Sequence, residues 1–254
     1  MGEIGQPAER SNGADRKVAI VTGAGRGVGR AIAIALARAG YELCLAARTR
    51  EELETTRTLT GLTPAQSLIV LIDLAQEEAP EDLVETAWDH FGQLDVIVNN
   101  AGWAPPRTPL MKLGSSDQDR ILATNLRAAI ALSRLAATRM AQQKAGGIII
   151  NVASIAARRM PPGEAVYAAA KAGLIAFTHA AFAELRDRGI KLSVIIPGLI
   201  DTTLIPQNKR LDRALMLRPE DLAAAVMTIV NTPPHACPVE LVLEPQRDPM
   251  RGSN

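Results

Sequence analysis

Aromatic residues and cysteine are scarce in this 254-residue chain. Phe, Trp and Tyr together make up 3% of the sequence, so a hydrophobic core must be built from Ala, Ile, Leu and Val. The two cysteines, Cys44 and Cys237, lie in or beside apolar segments and match no metal-ligand spacing. This pattern predicts buried free thiols in a reducing compartment, which we expect to be the cytoplasm, with neither a structural disulfide nor a metal site.

An excess of charge of one sign is also missing. The formal net charge is +1, which provides no electrostatic footprint for nucleic acid or for an anionic membrane surface. No apolar stretch reaches the roughly 18 uncharged residues of a membrane span, and residues 1–15 lack the apolar segment of a secretory signal. We therefore expect a small-molecule partner, and neither a nucleic acid nor a membrane.

Short apolar segments alternate with longer segments of helical periodicity. Strands are predicted at residues 18–22, 43–46, 67–72, 94–98, 148–152, 192–196 and 239–243, and helices at 29–39, 80–90 and 220–230. Near-continuous apolar strands indicate burial on both faces of a parallel sheet. The sequence therefore predicts one α/β domain over residues 16–246, with tails at 1–15 and 247–254. Its core is a Rossmann-like, doubly wound parallel sheet of about seven strands with helices on both faces.

A glycine-rich turn follows the first predicted strand. The segment reads Thr22-Gly23-Ala24-Gly25-Arg26-Gly27-Val28-Gly29 and leads directly into a helix. Glycines let backbone amides approach a pyrophosphate, and a helix N-terminus adds unpaired N–H groups and partial positive charge. The spacing is T-G-x-x-x-G-x-G rather than G-x-G-x-x-G. Taken alone, the same glycines could serve only the conformation of the turn.

Tyr167 and Lys171 are candidates for catalysis. They lie four residues apart in a predicted helix and therefore share one face. A free phenol has a pKa of about 10, and a neighbouring ammonium group is expected to lower it. Ser154 follows the predicted strand 148–152, at the strand end where open parallel sheets bind ligands. Each residue by itself has an ordinary alternative explanation, but the joint spacing is more specific.

These motifs resemble the short-chain dehydrogenase/reductase family in its compact, one-domain form, from residue 17 to about 245. The resemblance implies an NADP(H)-dependent oxidoreductase that interconverts a carbonyl and an alcohol, with Tyr167 as the proton donor and acceptor. Ser154, Tyr167 and Lys171 match the family's catalytic residues, and Asn125 matches the fourth. In the family this Asn sits at a helix irregularity and binds a water that connects the lysine to solvent. Asn125 could instead serve packing or capping.

The resemblance also implies the cofactor contacts. The Asn99-Asn100-Ala101-Gly102 segment borders the adenine-ribose side, Asp73-Leu74 lies near the adenine, and Pro197-Gly198 with Thr202 faces the nicotinamide carboxamide. The implied cofactor-binding residues are Thr22, Gly23, Gly25, Arg26, Gly27, Val28, Gly29, Arg48, Asp73, Leu74, Asn99, Ala101, Gly102, Tyr167, Lys171, Pro197, Gly198 and Thr202.

Arg48 bears on the choice between NAD and NADP. It follows the second predicted strand, where a carboxylate would bond a ribose 2′-hydroxyl and an arginine would meet a 2′-phosphate. Arg26 could supply a second cation, and in the family basic residues at these two places go with NADP(H). Alternatively, these arginines and Arg50 are solvated charges, with Arg48 and Arg50 paired to Glu51 and Glu52.

Three segments are expected to wall a mostly apolar substrate pocket: residues 103–113, 155–166 and 199–217. Within them, Arg158 and Arg159 either recognise a substrate carboxylate or are solvated or at a subunit contact. The family resemblance implies a ketone or 3-oxoacyl-type substrate and a homodimer or homotetramer. Two other functions remain open: a non-catalytic NADP(H)-binding regulatory or scaffold protein, and a sugar-nucleotide epimerase or dehydratase.

Overall fold

The structure, a computed structural model, describes residues 16–143, 145–202 and 211–250. The predicted N-terminal tail, the last four residues and residues 203–210 of the predicted pocket wall lie outside the described residues. The predicted domain boundaries at residues 16 and 246 therefore remain predictions.

A seven-stranded parallel sheet forms the centre of the molecule. Its strands in chain order are β1 Val18–Thr22, β2 Glu42–Ala47, β3 Ser67–Leu71, β4 Val96–Asn99, β5 Gly147–Val152, β6 Ile190–Pro197 and β7 Glu240–Leu243. They are arranged in the order β3-β2-β1-β4-β5-β6-β7. The chain thus reverses its direction of winding between β1 and β4, and this switch point is where doubly wound sheets bind ligands.

Helices cover both faces of the sheet. One face is covered by α1 Gly27–Arg38, α2 Arg50–Thr60 and α8 Pro219–Val230. The other face is covered by α3 Ala79–Phe91, α5 Ala128–Ala141 and α7 Ala165–Leu185. The shorter helices are α4 Ser115–Leu122 and α6 Ala156–Arg159.

The side chains of β1 show why its apolar run is continuous. Ala19 and Val21 belong to one buried cluster, whereas Val18 and Ile20 belong to the cluster on the opposite face. A strand buried on both faces needs apolar residues at every position. The predicted fold class is confirmed, and the strand and helix bounds differ from prediction by one or two residues. For example, β4 begins at Val96 rather than Leu94, whose amide donates to Gln143 Oε1, 2.8 Å away.

The α7 segment, extended to Ala165–Arg188, is long and apolar enough to cross a membrane by length and composition. The sequence-based expectation of no such stretch counted only uncharged residues, whereas this helix contains Lys171 and Glu184. A single helix of this kind is a weak indication, because core helices of soluble proteins have the same composition. In this fold Leu174 and Thr178 of α7 are buried, and Thr178 accepts a hydrogen bond from Asn151 of β5.

Candidate active site

The glycine-rich turn joins β1 to α1 at the switch point of the sheet. A side chain on Gly29 would begin 2.1 Å from the Gly23 carbonyl oxygen, so only glycine permits this close approach. Thr22 Oγ1 accepts hydrogen bonds from the amides of Asn100 and Ala101, both at 3.0 Å. The turn is therefore fastened to the end of β4. The first amides of α1, which lack intrahelical partners, lie at the same edge of the sheet. This cradle fits a pyrophosphate.

Asn99 has a structural role. Its side-chain nitrogen donates to Asn151 Oδ1 at 2.8 Å and to Ser133 Oγ at 3.1 Å. Asn151 in turn donates to Thr178 Oγ1 at 2.9 Å. All four residues are buried. This network ties β4 and β5 to α5 and α7, so the Asn99 side chain steadies the sheet, while the backbone of the following residues borders the cleft.

Asp73, which follows β3, has a partner that the sequence did not reveal. Its Oδ2 accepts from Arg120 Nη2 at 3.0 Å, and its Oδ1 accepts from the Ala75 amide at 3.1 Å. The Arg120 guanidinium also lies 5.2 Å from the centroid of the Trp103 ring. Asp73 therefore forms a turn just after β3, at the place where the adenine is predicted to bind. Arg120 connects that site to the segment that follows Gly102.

The arginines beside the glycine turn differ in their partners. Arg26 Nη1 lies 3.6 Å from Glu52 Oε1, and Arg50 Nη1 lies 4.0 Å from Glu54 Oε1. Arg48 is exposed, and among the described residues it has no ion pair. Glu52 therefore has an arginine partner, as the alternative of paired surface charges predicted, but that partner is Arg26 rather than Arg48 or Arg50. Glu52 was not among the predicted site residues, because it lies a full helical turn beyond the strand end that carries Arg48.

Ser154, Tyr167 and Lys171 come together beyond the carboxyl end of β5. The Ser154 side chain is close enough to Tyr167 to lower the pKa of the phenol, and Ser154 Oγ accepts from the Ala156 amide at 3.2 Å. Lys171 is only 4% exposed, and its Nζ donates to the Val152 carbonyl oxygen at 2.8 Å. The same Nζ lies 5.9 Å from the centroid of the Tyr167 ring. The predicted catalytic residues therefore share one site.

The electrostatics of this site differ from the sequence-based expectation. Burial raises the pKa of Tyr167, the Ser154 hydrogen bond lowers it, and the nearby Glu164 carboxylate raises it. Burial also lowers the pKa of Lys171 from 10.5 to about 8. The expected lowering of the phenol pKa is not found in this structure, because burial outweighs the effect of Ser154 and raises the pKa of Tyr167.

Asn125 lies in a π-helical turn, Ala123–Arg127, between α4 and α5. It is buried, and its Nδ2 donates to the carbonyl oxygens of Ile121 at 2.9 Å and Trp103 at 2.5 Å. Its Oδ1 accepts from the Trp103 amide at 3.3 Å, and a side chain on Gly102 would begin 2.9 Å from the same oxygen. The helix irregularity is present, and Asn125 also holds the backbone after β4. Its role toward a water remains a prediction.

The segment after β6 bends back toward the glycine turn. The Gly198 amide donates to the Leu243 carbonyl oxygen at 2.8 Å. Thr202 Cγ2 lies 3.5 Å from the point where a side chain on Gly27 would begin. Thr202 therefore lies next to the glycine turn, and the contact of Pro197, Gly198 and Thr202 with the nicotinamide remains a prediction.

Two of the predicted pocket walls are joined to each other. The Thr108 amide donates to the Gly163 carbonyl oxygen at 3.0 Å, and Arg107 Nε donates to Glu164 Oε1 at 2.5 Å. Glu164 precedes α7, so this pair of contacts, here called the loop clamp, attaches residues 103–113 to the helix that carries Tyr167. Leu110, Met111 and Met160, three apolar side chains of these segments, are exposed, and the apolar character of the pocket remains a prediction.

Arg158 and Arg159 are used inside the chain. Arg158 pairs with Glu240, and Arg159 Nη2 lies 2.8 Å from Glu244 Oε1. His179 Nε2 lies 3.1 Å from the second Glu240 oxygen. These contacts fasten α6 to β7 and the residue after it. Both arginines are thus committed to carboxylates of this chain, which neither of the two sequence-based interpretations foresaw.

Comparisons with known proteins agree with this geometry. A family model described as short chain dehydrogenase matches residues 17–213. An uncharacterized oxidoreductase of Mycobacterium tuberculosis (strain CDC 1551 / Oshkosh) is 35% identical over 228 residues, which is 85% of this chain and 86% of that protein. An uncharacterized oxidoreductase of Staphylococcus aureus (strain USA300) is 31% identical over 229 residues, or 90% of this chain and 97% of that protein.

Two solved structures are also similar. A metagenomic short-chain oxidoreductase in complex with NADP aligns with a TM-score of 0.79 at 28% identity, covering 91% of this chain and 98% of that one. A doubly substituted Serratia marcescens short-chain dehydrogenase/reductase aligns with a TM-score of 0.82 at 30% identity, covering 90% and 96%.

Proposed function

Because this chain belongs to the short chain dehydrogenase family and is an oxidoreductase of that family, we propose that it interconverts a carbonyl and a secondary or primary alcohol. In this proposal the enzyme depends on NADP(H), and Tyr167 is the general acid and base. The observation that carries the proposal is the meeting of Ser154, Tyr167 and Lys171 beyond the carboxyl end of β5. An open parallel sheet binds its ligands at this edge.

The three side chains have separate tasks in the reductive direction. Ser154 and Tyr167 both hydrogen-bond the carbonyl oxygen, which polarises the bond and holds the substrate in place. Tyr167 then transfers its proton to the developing alkoxide. Lys171, whose Nζ lies 5.9 Å from the centroid of the Tyr167 ring, would by family resemblance bond the nicotinamide ribose hydroxyls, and the proton given up by Tyr167 returns from solvent. When bound, NADPH supplies the hydride.

The residues of the glycine turn fit a dinucleotide. The turn is too tight for a side chain at Gly29, and its amides and the α1 N-terminus suit the pyrophosphate. Arg48 and Arg26 would hold a 2′-phosphate, and Asp73 would lie near the adenine. The metagenomic relative in complex with NADP supports this cofactor.

The remaining expectations belong to the same proposal. A ketone or 3-oxoacyl-type substrate suits the apolar loops around Tyr167, and we propose a homodimer or homotetramer in the cytoplasm. The intact group of Ser154, Tyr167, Lys171 and Asn125 favours catalysis over a non-catalytic NADP(H)-binding protein. The lack of a separate substrate domain among the described residues disfavours an epimerase or dehydratase.

Replacing Tyr167 with Phe tests the proposal. NADPH consumption is measured with a panel of ketones, aldehydes and 3-oxoacyl thioesters, and NADPH binding is measured by titration. We expect Tyr167→Phe to lose at least about 100-fold in rate because the proton donor is gone, while NADPH binding is retained. Tyr41→Phe is the matched control, because Tyr41 is the other tyrosine of the chain and lies buried in the core. A rate near that of the unmodified enzyme in Tyr167→Phe contradicts the assignment, and a silent panel favours the non-catalytic alternative.

A further inference from the structure

We propose that Glu52 is a specificity-determining residue that competes with the 2′-phosphate of NADP(H) for Arg26 and so limits the preference for NADP(H) over NAD(H). This inference rests on the proposed function, because it concerns the cofactor that the glycine turn would hold. It adds a carboxylate to a site at which the sequence showed only arginines.

The position of Glu52 brings its carboxylate to the glycine turn. Glu52 lies in the first turn of α2, and its Cβ is 2.9 Å from the point where a side chain on Gly25 would begin. Its Oε2 is 3.0 Å from the same point, and its Oε1 is 3.6 Å from Arg26 Nη1. The side chain therefore lies across Gly25 and reaches the cation that is expected to meet a phosphate.

The first two turns of α2 are held in this place by buried contacts. Thr56 is fully buried, and its Oγ1 lies 2.9 Å from the Ala24 carbonyl oxygen, 3.2 Å from that of Gly25 and 3.0 Å from that of Glu52. Arg30 donates to the carbonyl oxygens of Gly25 and Glu52 and to Thr56 Oγ1. Because α2 and the turn share these partners, Glu52 cannot move away from Gly25 without breaking several of them.

The exposure of the pair makes exchange feasible. The Arg26 side chain is 54% exposed and that of Glu52 is 34% exposed, so the ion pair is weak and a phosphate can displace the carboxylate. Displacement still costs binding free energy, and the released carboxylate remains close to the incoming anion. NADH has no phosphate to exchange, and a carboxylate can accept a hydrogen bond from its ribose 2′-hydroxyl. Glu52 therefore weakens NADPH binding selectively.

The experiment measures dissociation constants by isothermal titration, without catalysis. NADPH, NADH and adenosine 2′,5′-bisphosphate are titrated into the full chain and into Glu52→Gln. We expect the variant to bind NADPH and the bisphosphate about two- to tenfold more tightly, with NADH unchanged or weaker. Glu54→Gln is the matched control, because Glu54 lies on the same helix with similar exposure and pairs with Arg50 and Arg57. The control should leave the ratio of the NADPH and NADH dissociation constants unchanged.

A second background tests whether Glu52 acts through Arg26. In Arg26→Gln the same Glu52→Gln substitution should strengthen NADPH binding by a smaller factor. An unchanged or lower preference for NADPH in Glu52→Gln, or an equal gain in both backgrounds, overturns the inference. The unmodified chain separately tests the proposed function, since failure to prefer NADPH there contradicts the NADP(H) assignment. A stronger preference for NADPH in Glu52→Gln than in the unmodified chain would still support the role of Glu52.

Discussion

The two halves of the active-site cleft are held together in different ways. In the cofactor half, the glycine turn is fastened by the buried side chains of Thr22 and Thr56 and by the partly buried backbone at Asn100. In the substrate half, the loop clamp depends on Arg107, whose side chain is 65% exposed, and α6 is attached by ion pairs that are also partly exposed. Buried hydrogen bonds resist local opening far more than exposed ion pairs do.

The apolar side chains follow the same division. Met111 is 99% exposed and Met160 is 68% exposed, and both belong to the substrate half. Met160 also has a positive φ of 46°, the only such value for a non-glycine residue in the described part of the chain. Positive φ costs energy and occurs preferentially at functional loops. The comparison indicates a firmly anchored glycine turn next to loops that are held by exposed contacts.

Gly29→Ala should have the largest effect on the cofactor half. The new methyl group would begin 2.1 Å from the Gly23 carbonyl oxygen, so the turn must shift. We expect a loss of about 2–4 kcal/mol in the free energy of unfolding, measured by urea denaturation. Gly114→Ala is the control in the substrate half, where no atom lies within 4 Å of the added carbon. Its cost should stay below about 1 kcal/mol. Equal stability of the two variants would contradict the comparison.

Lys171→Met tests the burial of Lys171, at the junction of the two halves, through the pH dependence of the free energy of unfolding. Burial lowers the pKa of Lys171 from 10.5 to about 8 in the folded protein. Between these two pKa values the unfolded chain binds more protons than the folded protein, so the contribution of Lys171 to stability rises as the pH increases. That contribution is lost as the pH falls through about 8. The unmodified protein should therefore gain about 1–3 kcal/mol relative to Lys171→Met between pH 7 and pH 10. Urea denaturation at both pH values provides the measurement.

The control for this experiment is Lys112→Met, which removes a positive charge at an exposed position. A stability difference between the unmodified protein and Lys171→Met that stays constant with pH would mean that Lys171 is not buried as a desolvated cation.

Glu164→Gln should have the smallest effect on stability. It breaks the exposed part of the loop clamp, so the free energy of unfolding should change by less than about 1 kcal/mol. Local opening should nevertheless increase, because the Thr108 amide depends on the adjoining contact with Gly163. Hydrogen exchange at Thr108 should become faster in Glu164→Gln and equally fast in Arg107→Gln. If Glu164→Gln lowers the free energy of unfolding without faster hydrogen exchange at Thr108, the contacts of the substrate half open no more easily than those of the cofactor half.

Much of the fold and of the catalytic group could be predicted from local patterns. The apolar runs of the strands, the glycine spacing and the four-residue separation of Tyr167 and Lys171 are short-range features, and each reports directly on one element. The direction of the Tyr167 pKa could not be predicted, because it depends on burial of the phenol. Burial is a property of the assembled layers.

The sequence by itself determined the alternation of strands and helices along the chain, the doubly wound parallel class of sheet and the candidate catalytic residues, since these depend on local periodicity and spacing. Only the tertiary structure decided the partners of the charged residues. Arg26 meets Glu52, Arg120 meets Asp73 and Arg158 meets Glu240, pairs that are far apart in the chain. An exposed charge has no local preference for one partner, so packing of the helices and loops selects it.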